Sequence, residues 1–542
     1  MNDASAAMPT HPPMTRASAS FVGLHVVTIF SSILQLVIDR SYDNLLVNVI
    51  ILLSSTVTFA YLQRTRALDE VPLSSFALLG LCITTQWGAL VGQSLMWTPV
   101  AANLRVPVRT FAYLAGFQAV AITAHLVSRR LAVLMAARKM IADHILTPMG
   151  LFKIPVPAAL WFIGAIGLAA TAGAGSDLGA AGSKVAGGFG VLAWAPFTIP
   201  ALYIRLGPAY CNLKRQLSYL VVYIAAAVLV GAALNARSVM FVGALTGMLL
   251  YLLVLLNDKR PFRWQSLKWA AGIAITGAAL FQPLTDFALA IQVAREYRGR
   301  VSALEMVNET FLAMTNANAL RQTRDKFFVD ATVGIYDEFY FASPLLARFV
   351  ETKFHDNSFF LVENVRPLES SLILEDALDR IWAILPYPVL KMMDKEKSKY
   401  VLQYSAGDYL SYVRFGSLLG GFKTGSVFAQ IIAIFGEWTP VAYFLLCIPI
   451  FIFWDSLAKV TAAGPVVSVI GMLVIYRLFA YGIASESLSN FVGQMLRNHL
   501  QNVLLYTVLF SISRVVWKPY QADNHSTLAS TSNLARFAAR PT

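Results

Sequence analysis

The chain has 542 residues, 57% of them hydrophobic and only 13% charged, with a mean hydropathy of +0.60, whereas soluble domains carry roughly 25% charged residues. Apolar runs long enough to cross a bilayer core as helices recur along it, so the fold class is an all-α polytopic membrane protein, and a soluble globular enzyme is excluded. The formal charge of +13 does not imply a nucleic-acid partner, because the basic residues lie in short loops between apolar runs, where they meet anionic headgroups.

In chain order, the residues up to about Ser20 are small, polar and Pro-containing and read as a disordered tail. The first apolar run has no small-residue cleavage site before Asp39 and Arg40, so it is expected to be a retained helix. Twelve candidate spans follow: 21–38, 43–62, 73–96, 110–128, 156–175, 185–206, 217–234, 238–256, 267–290, 438–456, 463–484 and 499–516. The fifth and sixth are dominated by Gly and Ala (GLAATAGAGSDLGAAGSKVAGG). The expected organisation is a cytoplasmic tail over 1–20, nine helices over 21–290, a loop domain over 291–437, three helices over 438–516 and a second tail over 517–542. Of the three cysteines, Cys82 and Cys447 fall inside apolar runs and Cys211 just after one, which is no disulfide framework.

Positive charge orients the spans, since Lys and Arg are retained on the cytoplasmic side. One set of loops carries Arg64, Arg66, Arg129, Arg130, Arg138, Lys139, Lys153, Lys214, Arg215, Lys259, Arg260, Arg263 and Lys459, and the tail carries Arg514 and Lys518. The opposite set carries only Arg40, Arg105, Arg109, Lys184 and Arg237. Both termini are therefore expected in the cytoplasm. Arg237, in the short turn of GAALNARSVM, then faces outward against the charge rule. It is either a turn residue that snorkels to the interface or a cation held at the mouth of a cavity for an anionic ligand.

Residues 292–423 hold no spanning segment and by parity lie outside. Helical spacing places Tyr297, Val301, Leu304 and Phe311 on one face, and Leu374, Leu378, Ile381, Trp382 and Leu385 on another. The stretch between them mixes aromatics, carboxylates and amides. That mixture suits carbohydrate, with rings on sugar C–H faces and polar groups on hydroxyls, though the rings could equally form the core of a small cap domain. The exit from the loop repeats Gly416, Gly420, Gly421, Gly425 and Gly436. Its segment 424–435 is too short to cross, so a re-entrant or surface-lying helix is expected there.

Several ionisable groups sit in or beside spans: Asp286, Arg477, Glu486, Arg497 and His499. A charge at mid-bilayer costs roughly 2.5–3.5 kcal/mol on insertion scales, so Arg477 should face a cavity or a partner. Glu486 is nine residues further on, about 13 Å along a helix and too far for a direct pair. The expected outer cations are Arg237, Arg295, Arg298, Arg414, Arg477 and Arg497. Guanidinium forks bind phosphate oxygens bidentately and would neutralise a leaving diphosphate without a metal. No G-x-x-x-x-G-K-[ST], H-E-x-x-H or C-x-x-C motif competes, and GGFKTGS at 420–426 fails the nucleotide-loop spacing.

The span count, the late outer loop, the N-A-R-S turn at 235–238 and the loop exit G-G-x-x-x-G-S…F-G at 420–436 resemble the Wzy-type polymerases of O-antigen and exopolysaccharide repeat units; O-antigen ligases share that plan. The resemblance implies transfer of a growing glycan from undecaprenyl diphosphate to a new lipid-linked repeat unit, at the outer face of a bacterial inner membrane. It implies no metal or other cofactor, with arginines on the diphosphates and Arg237 matching one such position. The implied partners are the lipid-linked oligosaccharide, membrane lipids, a chain-length regulator and a flippase. A loop histidine or carboxylate would activate the acceptor hydroxyl; the candidates are His355 beside Asp356, with Asp337, Glu338 and Asp408 as rivals. Three other readings stand beside this one, one of them a purely structural assembly protein of an envelope complex. A glycan ligase shares the cavity. A secondary transporter or flippase would show two related halves, which the off-centre loop does not suggest.

Overall fold

The computed structural model describes residues 14–173, 188–262, 264–297, 300–332, 338, 340–341, 343, 346–394, 402–461 and 464–521. The side chains of 237–238, 264–271, 273–278, 280, 326–332 and 348 fall outside that description. Among the described residues, seven helices are long and apolar enough to cross a membrane: Arg16–Ile38, Tyr42–Arg64, Pro72–Leu95, Pro107–Arg130, Leu213–Ala233, Val239–Leu256 and Val427–Ser456. Pro157–Gly173 and Gly190–Leu206 are shorter apolar helices. The protein is an all-α membrane protein, with one small addition noted below.

Local chemistry sets the helix ends. Thr15 caps the first helix by accepting a hydrogen bond from the Ser18 N–H at 3.2 Å, so that helix begins within the expected tail. Ser41 caps the second in the same way. Ion pairs and short strand-like contacts then gather the alternate ends at one pole of the bundle: Arg16–Asp258, Lys259–Asp69, Arg129–Glu70 and Lys459–Asp143, with the bridges Thr15–Pro261 and Ile154–Tyr520. This is the basal pole. The distal pole holds the 97–106 loop and the turn at Asn235, whose side-chain amide donates to Ile291 O at 3.1 Å.

Helix Pro72–Leu95 is the buried axis of the fold. Its middle is a π-turn, Ile83–Trp87. A π-turn leaves carbonyls without their usual helical donors, and the segment from the expected outer loop supplies them. The Glu351 N–H donates to Thr84 O and the Thr352 hydroxyl to Thr85 O, both at 2.8 Å. Residues 350–361 of the expected loop thus dock at the midpoint of a membrane-length helix. All of helix Thr352–Leu361 except Phe354 and Phe360 is buried there despite its polar content. Its Asp356 carboxylate accepts from the N–H groups of Arg105 and Val106 at 2.7 and 2.9 Å and from the Thr110 hydroxyl at 2.9 Å, capping helix Pro107–Arg130. Pro107 at the start of that helix needs no partner for its nitrogen.

Two helical faces differ from expectation. In Ala303–Thr315 the buried side chains are Met306, Thr310 and Ala313, while Leu304 and Phe311 are exposed. In Pro367–Trp382 the buried set is Glu369, Ile373, Asp376 and Ala377, and Leu374 and Leu378 are partly exposed. Polar anchoring chose the second face: Asp376 holds Arg380 and Tyr404, and the Ser370 hydroxyl donates to Ala433 O at 2.7 Å.

The exit segment is neither surface-lying nor isolated. Helix Val427–Phe435 is interior and turns at Gly436, φ +51°, into Thr439–Ser456. Apolar residues 463–484 do not form one helix. An antiparallel hairpin pairs Ala458–Thr461 with Gly464–Val467, and helices Val469–Leu473 and Ile475–Tyr481 follow. Gly464 at φ +112° makes the turn, and Pro465 has no N–H to continue a helix. The chain closes with helix Leu488–Gly493, a π-turn Gln494–His499 and helix Leu500–Val516.

Candidate functional site

Two glycines bring the site's walls together. Gly80 of the axial helix lies so close to helix Ile475–Tyr481 that a Cβ there would sit 2.1 Å from Phe479 O. A Cβ on Gly425 would sit 2.8 Å from Glu486 O and 2.9 Å from Gly407 N. The first contact fixes the short helix carrying Arg477. The second fixes the strand-like stretch 485–487 against the glycine-rich loop. Val427 N–H donates to Ser485 O at 2.9 Å, and Leu488 N–H to the Gln430 side chain at 2.7 Å, tying the same stretch down on its other side.

Between these elements lies a cavity of about 510 Å³. Its apolar wall is Trp194, Val191, Val239, Val242 and Leu473; its polar wall is Thr171, Tyr476, Tyr481, Ser485, Asn490, Gln494 and Asn498, with Arg477 and Glu486. Thr171 ends its helix and Val239 begins its own at the distal pole, so the cavity lies toward that pole. Arg477 is ringed by protein, yet its side chain is accessible, because the cavity itself is the space it faces. Among the described residues Arg477 has no ion-pair partner. Such a guanidinium, without an ion pair among the described residues, carries a positive charge that an anion in the cavity would neutralise.

A second cavity of about 300 Å³ adjoins the first, sharing Asn490 and Asn498, and is lined by Arg380, Arg497, Ser489 and Leu402. Arg380 donates to Asp376 at 2.7 Å and to Tyr404 O at 3.0 Å and lies 4.6 Å over the Tyr404 ring. Another cavity, about 680 Å³, is lined in part by residues 432–435 at the end of helix Val427–Phe435. Its cation, Arg109, is already neutralised by Glu363, which makes it the weaker candidate for binding an anion.

Of the expected cations, the fold therefore brings Arg477 and Arg497 to adjoining cavities. Arg414 goes elsewhere, 3.9 Å from Glu369 and over the Phe415 ring. Arg295 is exposed on the turn Ala294–Tyr297. Arg237 opens helix Arg237–Leu256, with its side chain outside the described set; Arg298 and Asp337 lie outside the described residues altogether.

The expected bases take structural places. His355 is fully buried among Phe354, Phe359 and Phe428, and its Nδ1 shares a 2.8 Å hydrogen bond with the Ser426 hydroxyl. Burial pushes its pKa down to about 3, so it is neutral at pH 7, and it lines none of the three cavities. Burial also pushes the Asp408 carboxyl upward, but the N–H groups of Lys423, Ser405 and Phe422 outweigh it and hold the group below its ordinary range. Those bonds measure 3.1, 3.3 and 2.8 Å. Glu338 accepts from the next amide, Thr424 N–H. Three consecutive amides, 422 to 424, are thus clamped by two carboxylates. This geometry anchors the backbone of the glycine-rich loop and leaves these lone pairs little freedom to take a substrate proton.

Sequence reasoning missed Arg380, Asn490, Gln494 and Asn498 and did not cast Glu486 as a site residue. A signal was present in SESLSNFVGQMLRNHLQN, 485–502, where hydroxyls and amides are dense inside an otherwise apolar region. Among the described residues no group of three His, Cys, Asp or Glu could hold a metal ion. The chain matches no family model, no curated protein and no solved structure.

Proposed function

We propose that the protein polymerises oligosaccharide repeat units carried on a polyprenyl diphosphate, at the outer face of a bacterial inner membrane. In this reading the remaining apolar segments also cross, giving twelve spans, and the basic basal pole is cytoplasmic, as the retention of Lys and Arg requires. Both termini then lie inside, and the distal pole, with its cavities, faces the compartment where lipid-linked sugars are joined.

The observation that carries the reading is the Arg477 guanidinium, which forms no ion pair among the described residues, in a cavity otherwise lined by amides, hydroxyls and the Glu486 carboxylate. Asn490, Gln494, Asn498, Ser485 and the two tyrosines supply the neutral donors and acceptors that sugar hydroxyls need. Arg477 supplies the fixed positive charge that a leaving diphosphate needs. A volume of about 510 Å³ is within the ordinary range for small-ligand sites.

The test is replacement of Arg477 by Gln in the producing strain, followed by gel analysis of the surface glycan. Charge-assisted bonds to phosphate contribute about 1.5–3 kcal/mol each, so polymerisation should slow by roughly 10- to 150-fold and single repeat units should accumulate on lipid. Normal chain length in the Arg477→Gln strain would refute the assignment. Long chains accumulating unligated would instead identify a ligase. A transporter would leave unpolymerised units on the cytoplasmic leaflet.

A further inference from the structure

We infer that the cavity of about 680 Å³ is a binding site for a neutral oligosaccharide, the growing glycan chain. The chain as occupant rests on the polymerase reading above, and the sugar chemistry rests on the cavity itself. Helices Pro107–Arg130, Thr352–Leu361, Pro367–Trp382 and Val427–Phe435 bound it, and its wall includes Arg109, Tyr113, Glu363, Asn364, Ser370 and Phe435. Arg109 and Tyr113 lie in the first two turns of helix Pro107–Arg130, which begins beside the 97–106 loop, so the cavity belongs to the distal pole.

Among the described residues Arg109 and Glu363 are the two charged groups on this wall, and they pair with each other. A phospholipid phosphate would therefore meet no spare cation here. The paired side chains are still 45% and 29% exposed, so their outer edges can donate to and accept from hydroxyls. Asn364 adds an amide, and the Ser370 oxygen, which donates to Ala433 O, can still accept. The Tyr113 and Phe435 rings are 38% and 40% exposed and offer apolar faces to the C–H face of a sugar ring. A neutral ligand dense in hydroxyls, with apolar ring faces, uses every one of these groups.

The walls are fixed to one another before any ligand arrives. The Asp356 carboxylate caps helix Pro107–Arg130 through Arg105 and Val106 N–H at 2.7 and 2.9 Å, which pins helix Thr352–Leu361 beside it. Tyr113 packs on Phe359 with ring centroids 5.2 Å apart. The Ser370 hydroxyl, 2.7 Å from Ala433 O, pins the third helix to the fourth. A preformed site loses little ordering entropy on binding. Helix Val427–Phe435 also serves the Arg477 cavity, because Val427 N–H and the Gln430 side chain hold the 485–488 stretch. A glycan held at the end of this helix stays on the protein between transfers, while the Arg477 cavity exchanges lipid diphosphates.

The probe is oligosaccharide released by mild acid from the producing strain's surface glycan, free of lipid and diphosphate. Full-length protein in phosphatidylcholine nanodiscs should bind it saturably, with slowed hydrogen exchange at residues 362–367 and 432–436. Tyr113→Ala and Phe435→Ala should each weaken binding by roughly fivefold or more, as loss of an aromatic anchor does. Should Tyr113→Ala fail to fold, Phe435→Ala decides, since its ring lies at the exposed end of a helix. No saturable binding, or unweakened binding by Phe435→Ala, would overturn the assignment. So would a phospholipid held through purification by the starting protein and lost from Phe435→Ala. Binding is read without turnover, which separates the two readings. A protein that joins repeat units but binds no probe overturns this site alone, whereas one that binds the probe but joins none overturns the polymerase reading and leaves the sugar site standing.

Discussion

Removing the carboxylate of Asp408 should loosen the glycine-rich loop before it affects anything else. Its Oδ1 accepts from Lys423 N–H, and its Oδ2 from Phe422 and Ser405 N–H, in a site closed to solvent. In Asp408→Asn one of these oxygens becomes an NH₂ group. Whichever way the amide turns, one or two backbone donors then face another donor. Each lost bond to a charged acceptor is worth about 1.5–3 kcal/mol, so local opening should become easier by about 2–4 kcal/mol. At 1.36 kcal/mol per decade, this corresponds to a fall of roughly 30- to 1,000-fold in hydrogen-exchange protection at residues 422–424, provided the loop opens as a local unit. Hydrogen exchange with mass spectrometry on the protein in nanodiscs reads the peptide directly. Unchanged protection at 422–424, together with lost activity, would refute the anchoring account and return Asp408 to the reaction.

Two other outcomes follow from the same packing. Gly425→Ala places a Cβ against backbone on two sides, 2.8 Å from Glu486 O and 2.9 Å from Gly407 N; overpacking of this kind costs about 1–3 kcal/mol. It should lower the temperature of half-inactivation and displace residue 486, and a variant with unaltered heat resistance and turnover would contradict the close approach. The buried His355 makes stability fall with acid. Its folded pKa is about 3 against an ordinary 6.5, so the unfolded chain takes up a proton below pH 6.5 that the folded chain refuses. That difference costs about 2 kcal/mol by pH 5 and is absent above pH 7.5. Between pH 7.5 and 5 the starting protein should lose more heat resistance than His355→Gln does, and parallel losses would show that the imidazole is not sealed.

The sequence alone determined the membrane class, most of the long helices and the presence of costly arginines, because a bilayer imposes length and hydropathy on any segment that crosses it. Arg477 was marked for the same reason, since a charge within an apolar run needs a cavity or a partner. Only the tertiary structure decided which polar groups are spent on the fold and which face open space. Asp408, Glu338 and His355 look like site residues in the sequence but serve backbone amides or a serine hydroxyl 14 or more positions away along the chain. Glu486, Asn490 and Asn498 meet Arg477 across one cavity because Gly80 and Gly425 let two backbones approach closely. Hydropathy records how each segment meets lipid and carries no record of these long-range contacts. The docking of residues 350–361 at a π-turn 267 positions from its partner could not be read from period or composition.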